Sequence, residues 1–327
     1  MKIIGLLQNV TFMEFLSKKM NEIGFDIEFV DYKKPLKPQI ADATIIVNGF
    51  NSIDKSILDS CPNLKLVQQS GIGVDSIDIK ECTVRGIYVA NVPMANAISV
   101  AEHTIFLILY LAKNIKSQSS KEGSLSGILT TKIKGLPGIE VAGKTLAIIG
   151  LGVTGIEVAK RAKAFGMRVN AITKHPFTKT EGSNNKYFVD SINGTDKLQE
   201  IISNADIVSI HTPLNKETEC MIGTNELRRM KASAYLINVA RAPIVDKDAL
   251  FSALTSDEIA GAAFDVYWSE PVDPNEDLLR LDNFLLTPHI AGWTAEAIDS
   301  ITKIITINIE RLSRGQIPLT IVNQELI

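Results

Sequence analysis

The stretch Thr145-Leu-Ala-Ile-Ile-Gly150-Leu-Gly152-Val-Thr-Gly155-Ile-Glu-Val-Ala159 decides the fold. A short apolar run breaks at three glycines and resumes with helical spacing. The order is strand, tight turn, helix, which is the context a phosphate cradle needs. Gly150 permits the turn, Gly152 lets backbone approach a pyrophosphate, and Gly155 lets the helix pack close on the strand. The free N–H groups at the start of the helix would then face the phosphates. A lone Gly-x-Gly-x-x-Gly is a weak signal, because glycines punctuate many loops. The strand before it and the helix after it give it weight, and the stretch reads as a dinucleotide site.

The same rhythm runs outward in both directions. Downstream, Arg168–Ile172, Ile207–Ile210, Tyr235–Val239, Ile259–Val266 and Phe284–Thr287 read as strands. Helical spacing falls between them at Ile156–Phe165, Lys197–Ala205, Asn225–Met230 and Lys247–Thr255. Upstream, strands are predicted at Lys2–Leu7, Ile27–Val30, Thr44–Val47, Leu64–Gln69 and Ile87–Asn91, with helices at Phe12–Ile23, Ile53–Ser60 and Ile77–Arg85. Such alternation predicts parallel sheets covered by helices. A helix from about Ser99 to Ile115 joins the two series, with Ser99 and Glu102 spaced as a capping box. Lys116–Leu136 is polar and reads as a connecting or protruding segment, and Thr178–Asn193 as a surface loop around a short strand. A last helix is expected near Ala295–Arg314.

Bulk properties narrow the function classes. A chain of 327 residues suggests two domains. With 34 basic and 37 acidic side chains the net charge is −3, so no basic field points to nucleic acid. Hydrophobic residues make up 45%, enough for a core without staples. Cys61, Cys82 and Cys220 fit neither a disulfide framework nor a zinc spacing, so no metal is expected and a reducing cytoplasm is. The apolar run at Ile105–Ala112 is too short to span a bilayer, and the N-terminus reads as a first strand rather than a signal peptide.

A dinucleotide-binding strand usually ends in an acidic residue about 20 positions past the glycines, where it grips the ribose. Here that place reads Thr173-Lys174-His175. An acid would repel a ribose phosphate, whereas these three side chains could accept one. The alternative makes Lys174 and His175 ordinary solvated loop residues. The pattern tilts the cofactor toward NADP over NAD.

Three ionisable residues follow three predicted strands: Arg241 after Leu236–Ala240, Glu270 after Gly261–Val266, and His289 after Leu285–Pro288. Ligands bind outside the carboxyl ends of strands in open parallel sheets, so the three can converge. Arg241 offers a fixed fork of donors to a carboxylate or a carbonyl. His289 could give a proton to a developing alkoxide as a hydride arrives and take one back in reverse. Glu270 beside it would hold the ring and favour its protonated form. Each residue alone has a bland reading, as a surface ion pair or a satisfied turn. Three at strand ends, downstream of a nucleotide cradle, do not. His103, beside Glu102, reads as structural, and His211 as a residue that could line the cofactor cleft, on a loop floor with Pro213.

Taken together, the chain resembles the D-isomer-specific 2-hydroxyacid dehydrogenase family, among its glyoxylate and hydroxypyruvate reductases, over nearly all its length. The resemblance is carried by Gly71-Ile-Gly73-Val-Asp75, Asn91-Val-Pro93, Val100-Ala-Glu102-His103, the glycine cradle, His211-Thr-Pro213-Leu, Ile237-Asn-Val-Ala-Arg241, Phe264-Asp-Val-Tyr-Trp-Ser-Glu270-Pro and Thr287-Pro-His289-Ile-Ala-Gly. It implies an α/β fold of two doubly wound parallel-sheet domains, Rossmann-like and flavodoxin-like. Residues 1–97 with 290–327 would form the substrate domain, and 98–289 the NAD(P)-binding Rossmann domain. It implies a homodimer acting on a small 2-oxo acid, with Arg241, Glu270 and His289 catalytic. Amides at Ile72 and Gly73 would bind the substrate carboxylate opposite Arg241, with His289 at the carbonyl. Val153 and Thr154 would meet the pyrophosphate. His211, Thr212, Pro213, Val239, Ala240, Asp265, His289 and Gly292 would line the cofactor, Asp265 near the nicotinamide amide.

Departures from the family pattern bear on the substrate. Phosphoglycerate-type members carry an Arg where this chain has Gln68-Gln69-Ser70, and no regulatory extension is expected after Ile327. Both features point away from a phosphorylated substrate. Formate dehydrogenases have Gln in place of Glu270. Trp293 would narrow the substrate pocket or serve packing. Two alternatives stand beside the small-acid reductase: a phosphoglycerate dehydrogenase-like enzyme, and a dinucleotide-sensing corepressor of the same fold.

Overall fold

The structure, a computed structural model, describes residues 1–115, 137–176 and 188–326. The connecting segment read at Lys116–Leu136 and most of the loop read at Thr178–Asn193 lie outside the described residues. The chain forms two compact units, Met1–Asn96 with Trp293–Ile327, and Ala97–Gly292.

The first unit contains β1 (Ile3–Leu6), α1 (Val10–Glu22), β2 (Glu28–Phe29), α2 (Leu36–Ile40), β3 (Ile45–Asn48), α3 (Lys55–Leu58), β4 (Leu66–Gln69), α4 (Ile79–Val84) and β5 (Tyr88–Ala90). Its strands lie in the order β2-β1-β3-β4-β5, all parallel. Every position of β1, β3 and β4 is buried. That explains why β1 and most of β3 read as apolar runs rather than alternating ones, while β4 carries Gln68 and Gln69 into the interior. Alternate residues face opposite sides. Ile4, Ile46 and Val67 enter one core cluster, while Ile3, Ile45 and Leu66 enter the other. The α1 helix begins earlier than periodicity suggests, because Asn9 caps it by accepting the Phe12 amide at 3.0 Å. Trp293 packs near Phe12, with ring centroids 6.4 Å apart.

The second unit opens on α5 (Ala97–Ala112) and continues through β6 (Thr145–Ile149), α6 (Val153–Ala164), β7 (Arg168–Ile172), β8 (Ser191–Asn193), α7 (Leu198–Asn204), β9 (Ile207–Ile210), α8 (Thr224–Arg229), β10 (Tyr235–Asn238), α9 (Lys247–Thr255), β11 (Gly261–Phe264) and β12 (Phe284–Leu286). The final helix of the chain, α10 (Ala295–Ser313), belongs to the first unit and is capped by the Thr294 hydroxyl. The second sheet has the order β12-β11-β10-β9-β6-β7-β8, again all parallel. Its order reverses between β6 and β9, a topological switch point where such sheets open a crevice. The two units are therefore Rossmann-like and flavodoxin-like, as the sequence predicts.

One local expectation is corrected. Ser99 does not cap α5, which starts two residues earlier at Ala97 and buries Ser99 inside its first turns. Glu102 accordingly does not reach back to a cap; it pairs with Arg161 at 3.0 Å. Among the described residues no helix is long and apolar enough to cross a membrane. The three cysteines are unpaired, Cys61 and Cys82 buried and Cys220 exposed.

Candidate active site

The glycine cradle sits at the carboxyl end of β6, beside the switch point. Gly150 has φ of +102°, and a methyl there would lie 2.5 Å from the His211 carbonyl oxygen. Only glycine tolerates both the backbone angle and the closeness. A methyl on Gly155 would lie 2.2 Å from the Gly150 carbonyl oxygen, so helix and turn are in backbone contact there. Gly152 differs: a methyl on it would meet nothing within 4 Å. It precedes Val153 as an extended N-cap with no side-chain acceptor for the first helical amides. The open face and the uncapped amides fit a pyrophosphate, as the fingerprint requires. The cradle therefore suits a dinucleotide, held by the backbone from Gly152 to Gly155.

His211 follows β9 across the switch point. Its Nε2 lies 2.7 Å from the hydroxyl of buried Ser209, and its enclosed Nδ1 has no partner among the described residues. Burial pushes its pKa down to about 3, so the ring is neutral at physiological pH. Part of the residue remains accessible, but the ring nitrogens are inside. Thr173 ends β7 and donates its amide to the Asn193 carbonyl at 2.9 Å. Lys174 is exposed and its ammonium is 2.6 Å from the Glu217 carboxylate. Glu217 is a neighbour that the sequence reading did not foresee. In the first unit, Ile72 is exposed and its carbonyl accepts the Asn91 side chain at 2.8 Å.

Arg241 is aimed by the end of β10. Asn238, fully buried, accepts the Ala240 amide at 3.0 Å and donates to the Arg241 carbonyl at 2.9 Å. This side-chain turn replaces the ladder where the strand stops. The guanidinium donates back to the Ala240 carbonyl at 2.9 Å, and Pro243 starts the next helical turn.

Glu270 and His289 meet directly. The Glu270 Oε2 lies 2.8 Å from His289 Nδ1, and its Oε1 accepts the Tyr267 amide at 2.9 Å. Burial pushes the Glu270 carboxyl up, but the His289 contact, the Tyr267 amide and the Arg241 charge together outweigh it. The net effect holds it below the ordinary carboxylate range. It is therefore an ionised acceptor at neutral pH. Nδ1 of His289 then bears the proton that faces it. His289 has φ of +54°, a left-handed conformation uncommon outside glycine. Its amide closes a tight turn onto the Thr287 carbonyl at 2.9 Å.

Asp265 is not simply a lining residue. It is 1% exposed, and its carboxylate accepts the amides of Ile290 at 3.0 Å and Ala291 at 2.7 Å and the Thr287 hydroxyl at 2.5 Å. These bonds tie the chain up to Gly292 into the second unit. The motif Thr287-Pro-His289 is legible in sequence, but the work of the Thr287 hydroxyl is not, because its acceptor lies 22 positions away. Among the described residues, no cluster of three His, Cys, Asp or Glu could hold a metal.

Residues 105–291 match the model of the D-isomer specific 2-hydroxyacid dehydrogenase NAD-binding domain. The chain is 35% identical over 301 residues to a glyoxylate reductase of Korarchaeum cryptofilum, covering 90% of this chain and 87% of that one. It is 38% identical over 273 residues to a D-3-phosphoglycerate dehydrogenase of Archaeoglobus fulgidus, covering 83% of this chain and about half, 49%, of that longer one. Among solved structures, D-lactate dehydrogenase of Aquifex aeolicus, complexed with NAD and lactic acid, superposes with a TM-score of 0.84 at 27% identity. That match covers 98% of this chain and 99% of the other.

Proposed function

We propose, for a chain that belongs to the D-isomer-specific 2-hydroxyacid dehydrogenase family and so moves a hydride between a nicotinamide cofactor and a small 2-oxo or 2-hydroxy acid, that it reduces short unphosphorylated 2-oxo acids such as glyoxylate. Arg241, Glu270 and His289 carry the reaction. The observation behind the assignment is the 2.8 Å contact of Glu270 with His289 at a strand end, within the electrostatic reach of Arg241.

When bound, the nicotinamide supplies the hydride in reduction and takes it up in oxidation. The rest falls to the chain. Arg241 grips the substrate carboxylate and polarises the ketone. Protonated His289 gives its Nε2 proton to the carbonyl oxygen as the hydride reaches the carbon, so a 2-oxo acid leaves as a 2-hydroxy acid. In the reverse direction neutral Nε2 takes that proton. Glu270 fixes the ring by its Nδ1 throughout. The unit Ala97–Gly292 acts as the cofactor domain, and the other as the substrate domain, with the amides of Ile72 and Gly73 on the substrate carboxylate.

The substrate class rests on the residues before that loop. Gln68 and Gln69 are buried, and their side-chain amides are taken up by the carbonyls of Gln69 and Gly49 at 2.9 and 2.6 Å. They present no cation to a phosphate, which favours the small acid over phosphoglycerate. NADPH is the preferred reductant, with Thr173, Lys174 and His175 around the ribose phosphate. Lys174 must first leave Glu217, an exposed pair that opposes it only weakly. The protein works as a homodimer in the cytoplasm, an assignment carried by the family resemblance and by cysteines that form no disulfide.

The test is absorbance of the reduced nicotinamide with a panel of 2-oxo acids, NADH and NADPH run in parallel. Glyoxylate turnover, faster with NADPH, is expected. Tight cofactor binding without turnover of any acid would sink the enzymatic reading.

A further inference from the structure

A chain of contacts reaches the His289 loop from an element that the reaction does not use. His103, on α5, places Nε2 3.0 Å from the Thr287 hydroxyl, across 184 positions of sequence. That hydroxyl has a single proton. Its acceptors are the Asp265 carboxylate at 2.5 Å and, far less favourably, the Phe264 carbonyl at 3.4 Å. The charged oxygen takes the proton, so the hydroxyl has only lone pairs to show His103. His103 must therefore donate, with its proton on Nε2. The ring is 14% exposed. Burial lowers its pKa more than nearby Asp265 raises it, which suits a neutral donor.

The far end of this chain is the backbone that carries His289. Asp265 accepts the two amides that follow His289 directly, those of Ile290 and Ala291. Those two peptide units come directly after a residue at φ of +54°, a conformation that persists only where its surroundings impose it. The donated bond from His103 orients the hydroxyl, the hydroxyl orients the carboxylate, and the carboxylate holds the loop.

We propose that His103, acting through Thr287 and Asp265, is a positioning residue that sets the backbone of His289. The proposal rests on the reading of His289 as the acid–base group, and it gives a half-buried histidine outside the reaction a defined task.

The variants H103F, H103Q, T287V, T287S and H289A test it in the full-length enzyme with cofactor. H103F removes the donor and keeps an aromatic ring beside Phe106, which lies 5.6 Å from the imidazole. It should lower kcat about 10- to 100-fold, the scale of a slightly misplaced catalytic group, with cofactor affinity and melting temperature little moved. H103Q, whose amide nitrogen can donate from a similar place, should recover most of the loss. T287V should lose kcat as H103F does, T287S should not, and the H103F–T287V double variant should be no worse than either alone. Wild-type kcat in both H103F and T287V overturns the proposal. So does a loss confined to cofactor affinity, or one that H103Q shares in full. Should H103F not fold, T287V against T287S carries the same comparison. Nitrogen NMR of the His103 ring adds a readout independent of turnover, and a proton on Nδ1 instead of Nε2 also overturns it. H289A separates the two levels. Turnover that survives in H289A overturns the acid–base reading itself; turnover lost there but kept in H103F and T287V overturns only the positioning role.

Discussion

Both units bury a polar cluster among their apolar strands, and the two clusters are chemical opposites. In the first unit the members are neutral amides. Asn48 donates to Gln69 at 2.9 Å, Asn308 donates to Gln68 at 2.8 Å, and the glutamines donate to backbone carbonyls. In the second unit the hub is the Asp265 carboxylate, facing two amides and a hydroxyl, with His103 behind it. Amides bond equally well at any ordinary pH and create no field. A buried carboxylate is costly unless every lone pair is served, and when served it holds donors harder than an amide does. The neutral cluster pins strands to a helix. The charged one pins a loop in a conformation it would not choose. The difference teaches where this molecule keeps its buried charged hub: in the unit that matches the NAD-binding domain.

The strongest way to break that contrast is to remove the working charges. His289→Ala and Arg241→Ala should each lower kcat/KM by about 10²- to 10⁴-fold while leaving cofactor affinity close to wild type. Titration of cofactor fluorescence beside turnover checks the split, and equal collapse of both would remove the assigned roles. The next largest effect comes from putting charge where the molecule avoids it. Asn308 is fully buried and donates to both Gln68 and the Thr320 hydroxyl. Asn308→Asp leaves an uncompensated carboxylate there, and should destabilise the protein by about 3–5 kcal/mol at neutral pH. The sign with pH follows. Such an acid is harder to ionise folded than unfolded, so the deficit should shrink as pH falls and the buried group takes its proton. Urea unfolding at two pH values measures it, and a deficit that grows on acidification would contradict the contrast.

This contrast also marks what could be read without coordinates. The parallel sheets, the cradle and the trio Arg241, Glu270 and His289 are legible because each leaves a local mark: an apolar run, spaced glycines, an ionisable residue after a strand. Lys247–Thr255 and Ile207–Ile210 are found at their predicted bounds for that reason. Ser99 fails as a cap because its spacing to Glu102 matches the motif, while burial, which sequence does not report, places it inside the helix. The clusters themselves are not legible. Asn308 and Gln68 are 240 positions apart, and His103 and Thr287 are 184 apart. Their types are ordinary, and only the fold makes them partners.

Glu270 lies between the two extremes, an ion only partly enclosed. Its pKa is held below the ordinary 4.5, since His289, the Tyr267 amide and Arg241 outweigh burial. A depressed carboxylate stabilises the folded state above its unfolded pKa, and loses that contribution as pH falls through the folded value. Glu270→Gln keeps an acceptor for His289 but not the charge. Wild type should melt higher than this variant near neutrality, and the gap should close below pH 4.5. Turnover should fall less than in His289→Ala, because the ring keeps its orientation and loses only the negative charge beside Nδ1. A melting gap that persists in acid would place the role of Glu270 in shape rather than charge.

The smallest expected effect belongs to a charge pair on the surface. Lys174 and Glu217 lie 2.6 Å apart with side chains 62% and 66% exposed. In water such a pair contributes little, so Glu217 restrains Lys174 only weakly, and on the proposed NADPH reading it would act mainly as a negative charge opposing the ribose phosphate. Glu217→Gln should lower the KM for NADPH about two- to fivefold and leave that for NADH unchanged, the gain fading as salt is raised. Lys174→Gln should do the reverse and weaken NADPH selectively. If both variants shift NADH and NADPH alike, Lys174 is a solvated loop residue, and the cofactor preference must be set at Thr173 and His175 without it.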